Sequence, residues 1–281
     1  MWVLFLIAHL VGNTGYNTLL RHASAKMKVD SIFLATVMST AIAAPAAVGF
    51  AIRGIDVSRF DARLWWLFAL SCAIAVVFHI CNAKALECTE ASVFALLYNL
   101  RIVGATAFGI LFLSEPVAPL RMAGGGLVFL AGFLLLGRAG TTPRGAALTV
   151  LSAVLISSLN TLEKHLIQEL GYANYVFPSA LIVAAALWGI VLISRRPVDL
   201  SLFRTREITG LFALRIISAY GFTLALGLGG LLSISTYVSS LTCITTAAAG
   251  ILFLKERDAL GRKLAAAAIA LAGVTILSLA A

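Results

Sequence analysis

Two arginines placed inside long apolar runs are the residues whose chemistry most needs explaining. Arg101 lies within the stretch 90–113, three residues after Tyr98 and two after Asn99, and Arg215 lies within 207–227. A guanidinium is always charged, and it grips a carboxylate or phosphate through two parallel hydrogen bonds that strengthen as water is removed. Two such groups facing one cavity select an anionic or carboxylate-bearing molecule. The competing reading balances them internally with Glu87, Glu90 or Glu163, or with carbonyls at helix ends, as charges inside membranes commonly are.

Polar side chains in other apolar runs fall at helical spacing. His9, Asn13 and Asn17 stand at i, i+4 and i+8, and Ser157, Asn160, Thr161 and Lys164 make a second stripe. Ser235, Ser239, Thr242 and Thr246 make a third, and Ser71 and His79 continue the pattern in the run 63–81. Each stripe either lines a polar path or serves as hydrogen-bonding glue between helices. Of the aromatics Tyr16, Tyr98, Trp188, Tyr220 and Tyr237, we select Tyr98 and Tyr237 as wall residues. The substrate-binding candidates are thus Asn13, Asn17, His79, Tyr98, Asn99, Arg101, Asn160, Arg215, Tyr237, Ser239 and Thr242. Candidates for proton coupling are Glu163, His79, His9 and Glu90, since imidazole titrates near neutrality and a desolvated carboxyl shifts toward it.

No other chemistry emerges from the spacing. The His and acidic residues are too dispersed to pair a nucleophile with a base, so no enzyme and no catalytic residue is expected. Cys72, Cys81, Cys88 and Cys243 lack metal-ligand spacing and read as packing residues; neither metal nor cofactor is expected. The glycines at 124–126 lack the Lys-Ser/Thr and the preceding strand of a phosphate loop, and read as close helix packing.

The elements that must position these groups follow from composition. Of 281 residues 61% are hydrophobic and 12% charged, and the mean hydropathy is +1.01. A soluble domain has about 45–50% apolar and about 25% charged residues, so the excess must face lipid. Ten apolar stretches occur, at about 2–20, 31–52, 63–81, 90–113, 119–137, 145–165, 174–194, 207–227, 231–254 and 259–280. They are too long and too continuously apolar for barrel strands, and helices satisfy every backbone polar group without water. The first begins MWVLFLIAH without a basic leader or a cleavage site and reads as a retained helix. The formal net charge of +9 is scattered over the loops; it suits anionic lipid head groups, not nucleic acid.

The two halves echo one another. NTLLRH at 17–22 returns as NTLEKH at 160–165, LFAL at 67–70 returns at 211–214, and GILFLSE at 109–115 returns as GILFLKE at 250–256. The expected architecture is therefore all-α, with ten transmembrane helices as two five-helix repeats, 1–140 and 141–281. Five is odd, so the second repeat is inverted in the membrane, a plan that gives transporters two near-equivalent conformations.

Ten helices in two inverted halves, with a GILFL-[SK]-E turn before a Gly/Ala-rich helix in each, resemble the EamA-like proteins of the drug/metabolite transporter superfamily. The resemblance implies a central cavity lined mainly by helices 1, 3, 4, 6, 8 and 9, with helices 5 and 10 more peripheral, and alternating access by rocking of the halves. The expected function is a secondary transporter of a small, carboxylate-bearing or amino-acid-like metabolite, working as an exporter in the cell (inner) membrane. A monomer surrounded by membrane lipids is expected. The alternatives are a flippase for an anionic lipid or lipid-linked intermediate and a proton-coupled drug exporter; the absence of a carboxylate from the first helix argues against the latter. Lys and Arg fall mostly in the odd-numbered connections, which puts both termini outside by the positive-inside rule, whereas the resemblance implies both in the cytoplasm.

Overall fold

The computed structural model describes residues 2–27, 30–113, 119–135, 142–195, 198, 203, 205–227, 232–253 and 260–279. Eleven α-helices are described: α1 (Trp2–Met27), α2 (Ser31–Arg53), α3 (Ala62–Cys88), α4 (Ala91–Tyr98), α5 (Arg101–Leu113), α6 (Pro119–Leu135), α7 (Pro143–Leu170), α8 (Tyr172–Ile193), α9 (Arg206–Gly227), α10 (Leu232–Phe253) and α11 (Leu260–Leu279). No β-strand occurs among the described residues. Six helices there are long and apolar enough to cross a membrane, on α1, α2, α3, α7, α8 and α9. Large apolar side chains such as Ile52, Phe133, Ile193 and Phe253 stay exposed around the bundle, where lipid would cover them.

Helix starts are written in the connections. The Asp30 carboxylate accepts from the N–H groups of Ile32 and Phe33, both at 3.0 Å, Asp61 accepts from Leu64 at 2.7 Å, and Thr142 accepts from Gly145 at 3.0 Å with Pro143 behind it. Such caps satisfy donors that have no partner within the helix. The junction between α7 and α8 is one residue, Gly171, at φ 86° and ψ 156°. That region is essentially reserved for glycine, and forcing another residue into it costs about 1–3 kcal/mol. Gly171→Ala is expected to lower the thermal midpoint of the purified protein; an unchanged midpoint would show that the junction relaxes freely.

The expected fourth helix is two. Between α4 and α5 the N–H groups of Asn99 and Leu100 reach back three residues, to the carbonyls of Leu96 (3.3 Å) and Leu97 (3.0 Å), and the α-helical ladder is interrupted. Apolarity alone, which runs unbroken across this point, does not reveal the break. Helices α1 and α7 also run past the ends of their apolar stretches, so the repeated hexapeptides lie inside helices.

Helices of the first half pack on helices of the second: α1 on α9, α3 on α7, α2 on α8, α4 on α10 and α6 on α11. Glycine lets several backbones meet. A Cβ on Gly12 would lie 2.9 Å from the Ser218 nitrogen, and one on Gly221 would lie 2.8 Å from the Phe5 carbonyl oxygen. Where α6 meets α11, a Cβ on Gly273 would lie 2.7 Å from the Gly124 oxygen. Gly124 therefore serves close packing, while Gly125 and Gly126 face open space.

Candidate functional site

A cavity of about 230 Å³ lies at the centre of the bundle. Helix α1 contributes His9, Asn13, Tyr16 and Asn17; α3 contributes Ser71, His79 and Asn82; α4 and α5 contribute Phe94, Tyr98 and Arg101. From the second half come Asn160 and Glu163 on α7, Tyr175 and Ser179 on α8, and Arg215, Ser218 and Thr223 on α9. With Ser39 and Ile42 of α2, residues from eight of the eleven described helices thus meet across the two halves of the chain, which short-range spacing could not bring together by itself.

The two arginines occupy similar settings. The Arg101 guanidinium lies over the Tyr98 ring, 5.0 Å from its centroid, and the Arg215 guanidinium lies over Tyr16 at the same distance. An aromatic face attracts a cation without neutralising it. Tyr98 is itself stacked on Phe94, with ring centroids 5.2 Å apart. The Nε of Arg215 is buried without a hydrogen-bond partner, and Arg215 takes part in no ion pair among the described residues. Internal balancing by Glu90 does not occur, because Glu90 pairs with Lys263 on α11, away from the cavity. Glu163 lines the cavity and accepts a hydrogen bond of 3.4 Å from the Tyr175 hydroxyl.

Several polar groups act as interhelical glue. Asn13 donates to the Thr242 hydroxyl at 3.3 Å, and Thr14 and Thr245 share a hydrogen bond of 2.6 Å. His9 Nδ1 donates to the Ser218 carbonyl at 2.8 Å, which leaves Nε2 of a neutral ring as acceptor. The Ser157 hydroxyl reaches the Arg101 carbonyl at 2.6 Å and so ties α7 to the start of α5. Thr161 bonds its own helix.

Of the residues selected from sequence, Asn13, Asn17, His79, Tyr98, Arg101, Asn160, Arg215, His9 and Glu163 meet at the cavity. Asn99 does not; it is fully buried at the helix break, and neither atom of its amide has a partner among the described residues. Thr242 is buried behind Asn13. The side chains of Tyr237, Ser239 and Ser235, with Cys243, Glu115 and Glu256, lie outside the described residues.

Helices α2 and α8 also line the cavity, through Ser39, Ile42, Tyr175 and Ser179, beyond the helices expected to form most of its wall. Their signal was available, since Tyr172, Tyr175 and Ser179 fall at i, i+3 and i+7 and share a face. Tyr16, passed over among the aromatics, is the platform of Arg215. Helices α6 and α11 contribute no lining residue among those described.

Residues 1–137 match the EamA-like transporter family. No curated protein matches the chain. A solved structure titled "Crystal structure of protein" is 20% identical, with a TM-score of 0.66, and covers 98% of this chain and 97% of its own. At that identity the likeness concerns the fold.

Proposed function

We propose that the chain, whose residues 1–137 match the EamA-like transporter family, is a secondary transporter of the drug/metabolite type for a small carboxylate-bearing metabolite, amino-acid-like in size. The observation that carries this reading is Arg215. It is a cation within the span of α9, it faces the cavity, and no acid among the described residues neutralises it. Burying an uncompensated charge is costly, and the cost falls when a mobile anion arrives. A cavity of about 230 Å³ lies below the roughly 300–1,000 Å³ of drug-sized pockets, so the cargo is small.

The proposed mechanism is alternating access, with export from the cell across its inner membrane as the expected direction and a monomer as the working unit. The packing of α1 on α9 and of α7 on α3 is what two inverted halves, 1–140 and 141–281, would produce, since α7 stands in the second half where α1 stands in the first. The rocking bodies in this reading are not the halves. α1 is joined to α9 and α10, whereas α7 is joined to α3 and α5, so each body draws helices from both halves and the cavity lies between them.

Stabilisation of the purified protein by a metabolite panel tests the proposal, because a ligand that binds only the folded state raises stability by about 2.7 kcal/mol at a hundred times its Kd. Small carboxylates are expected to raise the thermal midpoint; stabilisation by cationic compounds alone would overturn the reading. Glu163 is the proposed coupling residue, as the cavity acid with no cationic partner among the described residues. In proteoliposomes, Glu163→Gln is expected to keep substrate exchange while uptake stops responding to an imposed proton gradient. A preserved gradient response would remove Glu163 from that role.

A further inference from the structure

Helix α4 is eight residues long, and every residue from Ser92 to Asn99 is buried. It is packed by α10, α7, α6 and α11. A segment this short does not span a bilayer on its own; it fills the bundle between the cavity and one face. Its inner end presents Phe94 and Tyr98 to the cavity. At its outer end Glu90, the N-cap residue, accepts a hydrogen bond from the Lys263 Nζ on α11, and the Lys263 side chain is 0% exposed. Nearby, a Cβ on Gly145 at the start of α7 would lie 2.8 Å from the Cys88 carbonyl oxygen, so this end of the bundle is closed tightly.

The inner end of α4 is the break. Asn99 is 0% exposed, with both amide atoms unpartnered among the described residues, a cost of the present arrangement. None of this recurs in the second half. In the register that sets GILFL at 109 onto GILFL at 250, Glu90 corresponds to Leu231 and Lys263 to Met122. Helix α10 runs unbroken from Leu232 to Phe253 where α4 and α5 are separate. The residues of the ion pair and the break therefore have no counterpart in the second repeat's sequence and described helices.

We propose that α4 is a gate between the cavity and the face where α4 and α11 begin, hinged at Asn99–Leu100 and latched shut by the Glu90–Lys263 pair. This rests on the transporter reading only in requiring that the cavity open there. The latch makes the two access states unequal: leaving the closed state of this face parts a part-buried ion pair, whereas the corresponding residues in the repeat register, Leu231 and Met122, are apolar. Removing either partner abolishes the contact that ties the start of α4 to α11, so either single substitution should favour the open gate.

The test is amide hydrogen exchange on the full chain in lipid nanodiscs, without substrate. Glu90→Gln and Lys263→Gln are each expected to speed exchange across residues 91–98 at least tenfold while α7 and α8 keep their native rates. The charge-reversed double variant E90K/K263E should bring residues 91–98 back toward native protection. Unchanged exchange in the single variants, or an equal rise throughout α7 and α8, would overturn the gate. If the single variants fail to fold, Glu90→Asp retains the charge with a shorter reach and should give a smaller rise confined to the same residues; native rates there would also overturn it. Because no substrate is used, failure of the carboxylate reading in uptake or thermal-shift experiments would leave this outcome separate.

Discussion

Arg215→Gln is expected to cut uptake of the anionic substrate by about 10- to 100-fold, the equivalent of losing a charge-assisted hydrogen bond of about 1.5–3 kcal/mol, while leaving the substrate-free protein as stable as before or more so. The two effects have opposite sign for one reason. In the empty cavity the Arg215 guanidinium lies over Tyr16 with its Nε unpartnered and no carboxylate paired to it among the described residues, so its removal relieves an uncompensated charge. In the loaded cavity the same charge is what the substrate pairs with. Arg215→Lys should recover only part of the uptake, because an ammonium keeps the charge but not the planar fork or the stacking on Tyr16. The measurements are uptake of a labelled carboxylate into proteoliposomes and the thermal midpoint of each variant without ligand. A parallel fall in both for Arg215→Gln would assign the arginine to structure and sink its assignment to substrate.

Gly221→Val is expected to be the most damaging small substitution tested away from the charged groups. A Cβ there would stand 2.8 Å from the Phe5 oxygen and 3.1 Å from the His9 nitrogen, both on the backbone of α1. Backbone cannot rotate away as a side chain can, so α1 and α9 must separate, at the about 1–3 kcal/mol typical of overpacking. The added loss is functional: α1 carries His9, Asn13 and Tyr16, and α9 carries Arg215 and Ser218, all facing the cavity. A lower thermal midpoint together with lost uptake is the expected outcome. Gly189→Ala on α8, where nothing lies within 4 Å of the added Cβ, is the control and should leave both unchanged. Equal behaviour of the two variants would show that the glycine contact does not hold α1 on α9.

How far the site could be read from sequence differs residue by residue. Arg101, Arg215, Asn160 and Glu163 declared themselves because a polar or ionisable group within a membrane-spanning run needs a reason to be there, and all four face the cavity. Tyr16 and Tyr175 carried no such signal, as a tyrosine in an apolar run serves packing or an interface equally well. Glu90 was selected as a coupling acid, yet it is committed to Lys263, 173 residues away in the chain. Asn99 looked like a member of the Tyr98–Arg101 group, and the turn at the end of α4 takes it away from the cavity.

By itself the sequence determined the membrane class and the helical character, because both follow from the density and length of apolar runs, which are local properties. It also nominated the charges that need a partner, since the cost of placing a charge in apolar surroundings belongs to the residue. Only the tertiary structure decided which helices meet, that α2 and α8 reach the cavity, that the fourth helix breaks at Asn99–Leu100, and which acid answers which base. Those outcomes depend on backbones brought together at Gly12, Gly221 and Gly273 and on side chains separated by most of the chain. Partner choice is a property of the packed arrangement, in which one group's position sets the energy of another.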